Sequence, residues 1–375
     1  MTRVARTPAV IEDALHAAAR AQLPAALVGG AALTAAVIDR SRRYTSERDR
    51  LRATGGAAAA DLAARALFFT VADAGKLPLV LAELTPARAP AGWLAGATLR
   101  VLDVGAGCGA MTLGLLVELA ARGWRGQVIA TLLDRDAAAL AIARAAIATV
   151  AAALAIPCAV TTHAADVTAA PGGPFDLVVA GTVVNELADG GALVRQMIAA
   201  LAPDGVAVVI EPALRDTARG LHAIRDAVIA DGAAAVLAPC TRRAAPCPAL
   251  ADERDWCHDH YPAELPPRAR QLAAVTGLRD GDAKFAFLAL ARAAAAPPPL
   301  AAWRVIDDPQ APKGKVELTA CGAPGWVPVR LLRRHRGAGN RAVERAHRGD
   351  LLALDAAIVD GRIELGPDDV VTPIA

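Results

Sequence analysis

The hydrophobic pattern changes character twice along the chain. Over the first 95 residues, apolar positions such as Ala9, Ile11, Leu15 and Ala18 recur at helical spacing, and Gly29 and Gly30 break this run from a second helical segment. From Thr98 the rhythm shortens: TLRVLDVG, QVIATLLD, FDLVVAG and GVAVVIEP read as buried strands. Between them lie the helical segments GAGCGAMTLGLLVELAAR, AAALAIARAAIATV and ELADGGALVRQMIAALA. Such alternation predicts an α/β fold with a doubly wound parallel sheet. KFAFLALAR, Lys284 to Arg292, returns as one more strand.

Two stretches break the rhythm. Residues 238–267, APCTRRAAPCPALADERDWCHDHYPAELPP, carry too much proline and charge for a core helix and read as an insertion. AAAAPPPL, Ala293 to Leu300, reads as a linker, after which WRVI, GKVELTAC and GWVPVRLL predict strands of a small β-rich unit. The expected organisation is an N-terminal helical region over 1–95, a central α/β domain over 96–292 with its insertion at 238–267, and a β-rich region over 293–375. The charged run Ser41 to Arg52 predicts a helix start with a solvated face, on which Arg42, Arg43 and Tyr44 are placed to meet a large partner.

Composition narrows the class. With 375 residues and 55% hydrophobic but only 3% aromatic content, the chain has a core of Ala, Leu and Val, and disorder does not dominate. The net charge of +2 gives no general field for nucleic acid, but its distribution does more. Residues 321–350 hold seven Arg against Glu344 and Asp350. Arg330, Arg333, Arg334, Arg336 and Arg341 from this stretch suit phosphate, and a solvated surface would use them equally well. The apolar run Leu23 to Ile38 has 16 residues, short of the roughly 20 that span a bilayer, and is interrupted by a Gly pair. Glu12 and Asp13 stand where a signal peptide would already be apolar. No membrane contact and a cytoplasmic location are therefore expected.

Asp103-Val104-Gly105-Ala106-Gly107-Cys108-Gly109 falls where a strand becomes a helix. Glycine permits the tight turn and close approach of a ligand, and the helix start presents amide donors. A turn of this kind serves nicotinamide cofactors too, or none. Asp134, ending the second strand, is placed to accept ribose hydroxyls. Taken with AADVT, containing Asp166, and PFDLVVAGTVVNEL, the turn resembles the class of methyltransferases that use S-adenosylmethionine. That resemblance implies that the glycine loop, with Asp103, Gly105, Gly107 and Gly109, meets the methionine part, Asp134 the ribose and Asp166 the adenine. Methyl transfer rests largely on positioning, so the lack of a dyad or triad excludes nothing. No catalytic residue is assigned. Asn185 and Glu186 lie at the sheet edge where a substrate would approach, though capping the next helix is the plainer reading. The Asn-Pro-Pro-Tyr loop of amino-methyltransferases is absent.

Six cysteines in a chain read as cytoplasmic argue against disulfides. Cys240, Cys247 and Cys257 fall within 18 residues among prolines and charges, and Cys321 follows 63 intervening residues later. Four thiolates hold zinc or a cubane iron-sulfur cluster, and the irregular spacing does not choose. Cys108 and Cys158 read as small packed residues, and His258 and His260 as flanking or surface groups.

The combination VLDVGAGCGA, GTVVNEL, VVIEPAL, the APC, PCP and DWCH segment, and KFAFLALAR resembles, over roughly residues 40–335, the methyltransferase-like family of mitochondrial small ribosomal subunit assembly proteins and their bacterial relatives. The resemblance implies an S-adenosylmethionine-type fold, a [4Fe-4S] cluster on Cys240, Cys247, Cys257 and Cys321, and association with the small ribosomal subunit and its RNA. Gly107-Cys108-Gly109 departs from the commoner Gly-Pro-Gly form. Three functions compete. An assembly protein that methylates ribosomal RNA leads; a catalytically silent iron-sulfur RNA-binding assembly factor is the alternative. A small-molecule methyltransferase leaves the cysteine insertion and the basic C-terminal stretch unexplained.

Overall fold

The computed structural model describes residues 3–45, 59–243, 246–279 and 281–374. The chain opens with a short strand, β1 (Ala5–Arg6), then helices α1 (Ala9–Gln22), α2 (Gly30–Thr45), α3 (Ala59–Ala64), α4 (Thr70–Ala74) and α5 (Lys76–Ala82). A single π-helical turn, Arg65–Phe69, joins α3 to α4. The charged run expected to begin a helix at Ser41 instead continues α2 as far as Thr45, and its remainder, 46–52, lies outside the described residues. Its expected solvated face holds at Arg42, which is exposed, and is corrected at the next two positions. Arg43 pairs with exposed Asp39 at 2.7 Å and reaches inward to buried Asp61 at 2.9 Å, and Tyr44 packs edge-on against Phe69 at 5.6 Å.

Alternation then begins: β2 (Thr98–Val104), α6 (Ala110–Ala121), β3 (Gln127–Asp134), α7 (Ala137–Ala153), β4 (Cys158–Ala164), β5 (Phe175–Gly181), α8 (Gly190–Ala199), β6 (Leu201–Pro212), α9 (Arg215–Ala230), β7 (Ala234–Ala238), β8 (Asp259–Glu264), α10 (Pro267–Thr276) and β9 (Asp282–Arg292). The sheet order is β1-β8-β9-β6-β5-β2-β3-β4, with β7 also paired to β9. Strands β2 to β6 are parallel, as the pattern predicts. The expectation of an all-parallel sheet fails at β9, which runs antiparallel to β6, β7 and β8. A strand inserted beside β6 after the long 238–267 excursion enters from the opposite end, and FAFLALA is apolar on both faces because both are covered.

Strand periodicity sends neighbouring residues to opposite cores. Val101, Leu132, Val179, Val208 and Phe287 join a cluster with α6, α7 and the N-terminal helices. Leu102, Leu133, Val178, Val209 and Leu288 join another with α8 and α9.

The last part forms a second sheet from β10 (Trp303–Val305), β11 (Lys315–Gly322), β12 (Gly325–Leu332), β13 (Leu351–Leu354), β14 (Ile358–Val359), β15 (Arg362–Leu365) and β16 (Val371–Ile374). Its order is β14-β15-β12-β11-β10-β13-β16, and Val316, Leu318, Val329, Leu331 and Ile363 build its own core. A buried ionic joint ties it to the first sheet. Arg304 on β10 reaches both carboxylate oxygens of Asp259 on β8 at 2.8 Å, and Glu83 after α5 at 3.0 Å. Arg88 completes the joint at 2.6 Å from Glu83. Burial alone would raise the Glu83 carboxyl, but Arg304, Arg88 and Arg3 hold it down at about 2.

Candidate functional site

A crevice of about 730 Å³ opens at the C-terminal ends of β2, β3 and β5, the position where open α/β sheets bind ligands. Its floor is the glycine turn. Gly105, Gly107 and Gly109 all adopt left-handed backbone, at φ +65°, +51° and +88°. They differ in what surrounds them: a Cβ on Gly105 would lie 2.3 Å from Val183 Cγ2, whereas one on Gly107 would meet nothing within 4 Å. Gly109 faces α7, where an added Cβ would lie 3.2 Å from Ala143 Cβ and Ile147 Cδ1. Gly105 therefore admits the loop after β5, Gly107 leaves the crevice open, and Gly109 lets α6 and α7 close together.

Of the residues singled out from sequence, Asp103, Gly105, Gly107, Asp134 and Asp166 line this crevice, and Gly109 begins α6 beside it. Asp134 accepts the Gly107 amide and the Asp136 amide, each at 2.8 Å, one on each oxygen. Asp103 accepts the Thr112 hydroxyl at 2.7 Å and its amide at 3.2 Å, so this oxygen braces the first turn of α6. Burial pushes the Asp103 carboxyl up to about 7. Asp166 caps a short turn through Thr168, whose amide and hydroxyl hold its carboxyl below the usual range.

Sequence reasoning missed the roof. Arg40, Tyr44, Asp61, Arg65, Phe69 and Asp73, all from the N-terminal helices, line the same crevice. Arg65 bonds Asp136, the N-cap of α7, and thereby ties the roof to the floor. Arg40 grips both oxygens of Asp61 at 3.1 Å and stacks over Tyr44 at 4.4 Å. No motif announces these contacts, because they arise only when α2 and α3 fold across the sheet edge.

The loop after β5 is held from behind. Buried Glu211, at the end of β6, accepts the Val183 amide at 3.2 Å, the Val184 amide at 2.8 Å and the Asn185 side-chain amide. Burial pushes its carboxyl up to about 7. Asn185 thus serves the loop, and the plainer reading of Asn185 and Glu186 as helix caps is corrected: Asp189 caps α8 through the Ala192 amide at 2.8 Å. Glu186 lines the crevice, and burial raises its carboxyl.

A second constellation gathers at α9. One face of that helix anchors the 238–267 segment: Asp226 accepts the Cys247 amide at 2.7 Å, and His222 Nε2 lies 2.9 Å from the Cys257 carbonyl oxygen. Arg219 donates to the carbonyls of Ala249, Asp252 and Asp255 at 2.9, 2.6 and 2.6 Å. Cys321 arrives on β11, where its carbonyl accepts the Thr241 hydroxyl at 3.4 Å. Burial first, and then Cys240, push Cys247 up to about 11 and Cys321 up to about 12, while burial, then the Asp259 carboxylate and Cys240, push Cys257 well above its ordinary value. All four cysteines thus share one neighbourhood. Among the described residues, however, no group of three or more His, Cys, Asp or Glu side chains is close enough to hold a metal ion, so the expected metal-holding insertion does not close into a ligand set. Each of the four has its own backbone anchor, that of Cys240 being its carbonyl, which accepts Arg88 at 3.4 Å. His258 stacks on Trp256 at 5.7 Å, and His260 pairs with Asp282 at 2.8 Å. Cys108 is buried, and Cys158 is half-buried on β4.

The basic stretch is partly neutralised. Arg330 pairs with Glu317 at 2.7 Å and Arg336 with Glu344 at 2.7 Å, while Arg333, Arg334 and Arg341 are exposed. No described helix is long and apolar enough to cross a membrane.

Fold and crevice define a mixed α/β protein of Rossmann-like topology with a curled C-terminal sheet. Within that class the chain belongs to the family described as mitochondrial small ribosomal subunit Rsm22, which matches residues 87–353. No curated protein matches it. Among solved structures, mitomycin 7-O-methyltransferase MmcR is similar at 17% identity over 46% of this chain and 42% of that one, with a TM-score of 0.30. The chain thus spans less than half of that enzyme. A ribosomal protein L11 methylase from Lactobacillus delbrueckii subsp. bulgaricus is similar at 18% identity over 58% and 77%, TM-score 0.30. An S-adenosylmethionine-dependent methyltransferase from Geobacter sulfurreducens, in complex with S-adenosyl-L-homocysteine, is similar at 15% identity over 58% and 90%, TM-score 0.33.

Proposed function

We propose that this protein acts in small ribosomal subunit assembly, binds S-adenosylmethionine in the crevice and methylates ribosomal RNA. The observation that carries the cofactor reading is the Asp134 carboxylate bonded to the Gly107 amide beneath an open cradle. Each Asp134 oxygen keeps a lone pair for ribose hydroxyls, Asp166 is placed for the adenine, and the loop from Gly105 to Gly109 for the methionine part. Seven acidic and three basic side chains line the crevice, a balance that suits a sulfonium cation. When bound, S-adenosylmethionine supplies an electrophilic methyl group. The protein's part is to position the donor, exclude water with the Arg40, Tyr44 and Arg65 roof, and present an acceptor beside Glu186.

Four soft thiol donors suit an iron-sulfur cluster, with zinc as the competing occupant. We propose that Cys240, Cys247, Cys257 and Cys321, which share a neighbourhood without closing into a ligand set among the described residues, draw together to hold it, and that its role is structural, pinning the second sheet to the insertion. Iron, acid-labile sulfide and zinc assayed on protein purified without oxygen test this. About four iron and four sulfide per chain are expected, with content falling and proteolysis of the C-terminal sheet rising in Cys321→Ala. Unchanged metal content and protease resistance in that variant would overturn the assignment.

The functional test is transfer of labelled methyl from S-adenosylmethionine to immature small-subunit RNA. Incorporation that depends on the Gly105–Gly109 loop supports the enzyme. Retained particle binding with no transfer would replace it with the silent assembly factor.

A further inference from the structure

A second cavity, about 930 Å³, lies away from the crevice, between the C-terminal end of α5 and the edge of the second sheet. Its size falls within the roughly 300–1,000 Å³ of small-molecule sites. Arg341, Arg345 and His347 stand on its rim, and Leu351, Leu352, Val371, Pro373 and Ile374 form much of its lining.

The two arginines differ from their neighbours. Arg330 and Arg336 are bound by Glu317 and Glu344, whereas Arg341 and Arg345 are exposed and have no ion pair among the described residues. The one carboxylate in the lining, Asp350, already accepts the His347 amide at 2.8 Å. The turn that carries the arginines is rigidly seated. Asn340, fully buried, donates to the carbonyls of His335 and Gly366 at 2.9 and 3.0 Å and accepts the Gly337 amide at 2.9 Å. Val343, between the two arginines, is buried in the sheet's core. Two free guanidiniums on a fixed turn above an apolar floor match alternating phosphates and sugars. No Phe, Tyr, Trp, Asn or Gln side chain lines the cavity, so its chemistry favours the backbone of a nucleic acid over its bases.

We propose that this groove takes the phosphodiester backbone of single-stranded RNA, with Arg341 and Arg345 as phosphate grips. The proposal rests on the RNA-partner reading above and adds to it a place on the molecule. It also moves the contact from the patch expected in sequence, adding Arg345 and removing Arg330 and Arg336.

The test uses the full chain and a fluorescent oligouridylate, with anisotropy measured over a salt series. Arg341→Gln with Arg345→Gln should weaken binding roughly tenfold and flatten the slope of log K against log salt by about 1.4, two single-strand contacts' worth. The double Lys variant should keep the slope, and Arg330→Gln, whose guanidinium is already paired, should leave it unchanged. Wild-type binding that the double Gln variant leaves intact would overturn the groove while sparing the RNA reading. Failure of the wild type to bind either the oligouridylate or small-subunit RNA would remove the RNA reading itself, and capture of a polyglutamate peptide instead would reassign the groove to an acidic protein segment.

Discussion

The Asp134 carboxylate and the Gly107 amide, 27 positions apart, meet at 2.8 Å across the mouth of the crevice. One side chain therefore fixes the glycine loop from the neighbouring strand and, through its other oxygen, the start of the chain leading into α7. Loop shape and cofactor recognition are properties of the same carboxylate.

Replacing that residue separates charge from fold. Asp134→Asn keeps the volume but leaves one of the two amides without an acceptor. A hydrogen bond to a charged group contributes about 1.5–3 kcal/mol, so affinity for S-adenosylhomocysteine should fall roughly ten- to hundredfold by calorimetry. Unchanged affinity in a stably folded variant would count against the proposed ribose site.

Gly105 and Gly107 share left-handed backbone but not surroundings. Gly107→Ala should cost only the left-handed strain, about 1–2 kcal/mol. Gly105→Ala adds a contact at 2.3 Å with Val183, whose loop is itself held by Glu211. It should lose about 3 kcal/mol or more in urea denaturation, combining strain with overpacking. Equal losses would show that the loop after β5 yields freely.

What the sequence reveals follows from how local each signal is. β5, Phe175–Gly181, is legible because its covered centre reads as an apolar run, and β3, Gln127–Asp134, because its buried positions from Val128 to Leu133 are all apolar even though Gln127 and Ile129 are exposed. β4, Cys158–Ala164, escapes that reading: an edge strand with no fully buried position, it alternates half-buried and exposed residues instead of presenting an apolar run. The cysteines are visible by type and spacing, whereas Arg219, His222 and Asp226, which hold their segment, look like ordinary positions of an amphipathic helix. The roof residues Arg40 and Arg65 are likewise invisible locally, since Arg40 meets Asp61, and Arg65 meets Asp136, only through tertiary packing. Charge counting misjudged Arg330 and Arg336 for the same reason, because their acids come from a neighbouring strand and a later turn.

Asp103 makes stability depend on pH near neutrality. Burial raises its carboxyl to about 7 in the folded chain, from about 3.9 when unfolded. In that window the folded state binds the extra proton, so this contribution is fully present below about pH 4 and is lost as pH rises through 7. Glu211, raised to about 7 by the same cause, acts in the same direction. Asp103→Asn keeps an acceptor for Thr112 and removes the titration. Its melting temperature relative to wild type should therefore be higher at pH 8 than at pH 5. A difference independent of pH would show that Asp103 does not titrate there.

The ionic joint around Arg304 carries the opposite sign. Glu83, depressed to about 2, contributes stability that is present above its unfolded value near 4.3 and is lost as pH falls toward 2. Arg304→Ala strands two carboxylates, Glu83 and Asp259, that are each less than 5% exposed. Breaking a buried pair in this way costs about 3–5 kcal/mol. Arg88 still holds Glu83 in the variant, which places the expected loss at pH 7 near the lower end of that range. The acid unfolding midpoint should move upward as well, because Glu83 then protonates at a higher pH. Arg304 also lies opposite Cys321 in the β10–β11 pairing, so the variant should expose the linker between the sheets to protease before the first sheet unfolds. A loss below about 1 kcal/mol, with protease resistance intact, would mean that the second sheet is held by its apolar contacts and hairpin packing, and that the joint is dispensable.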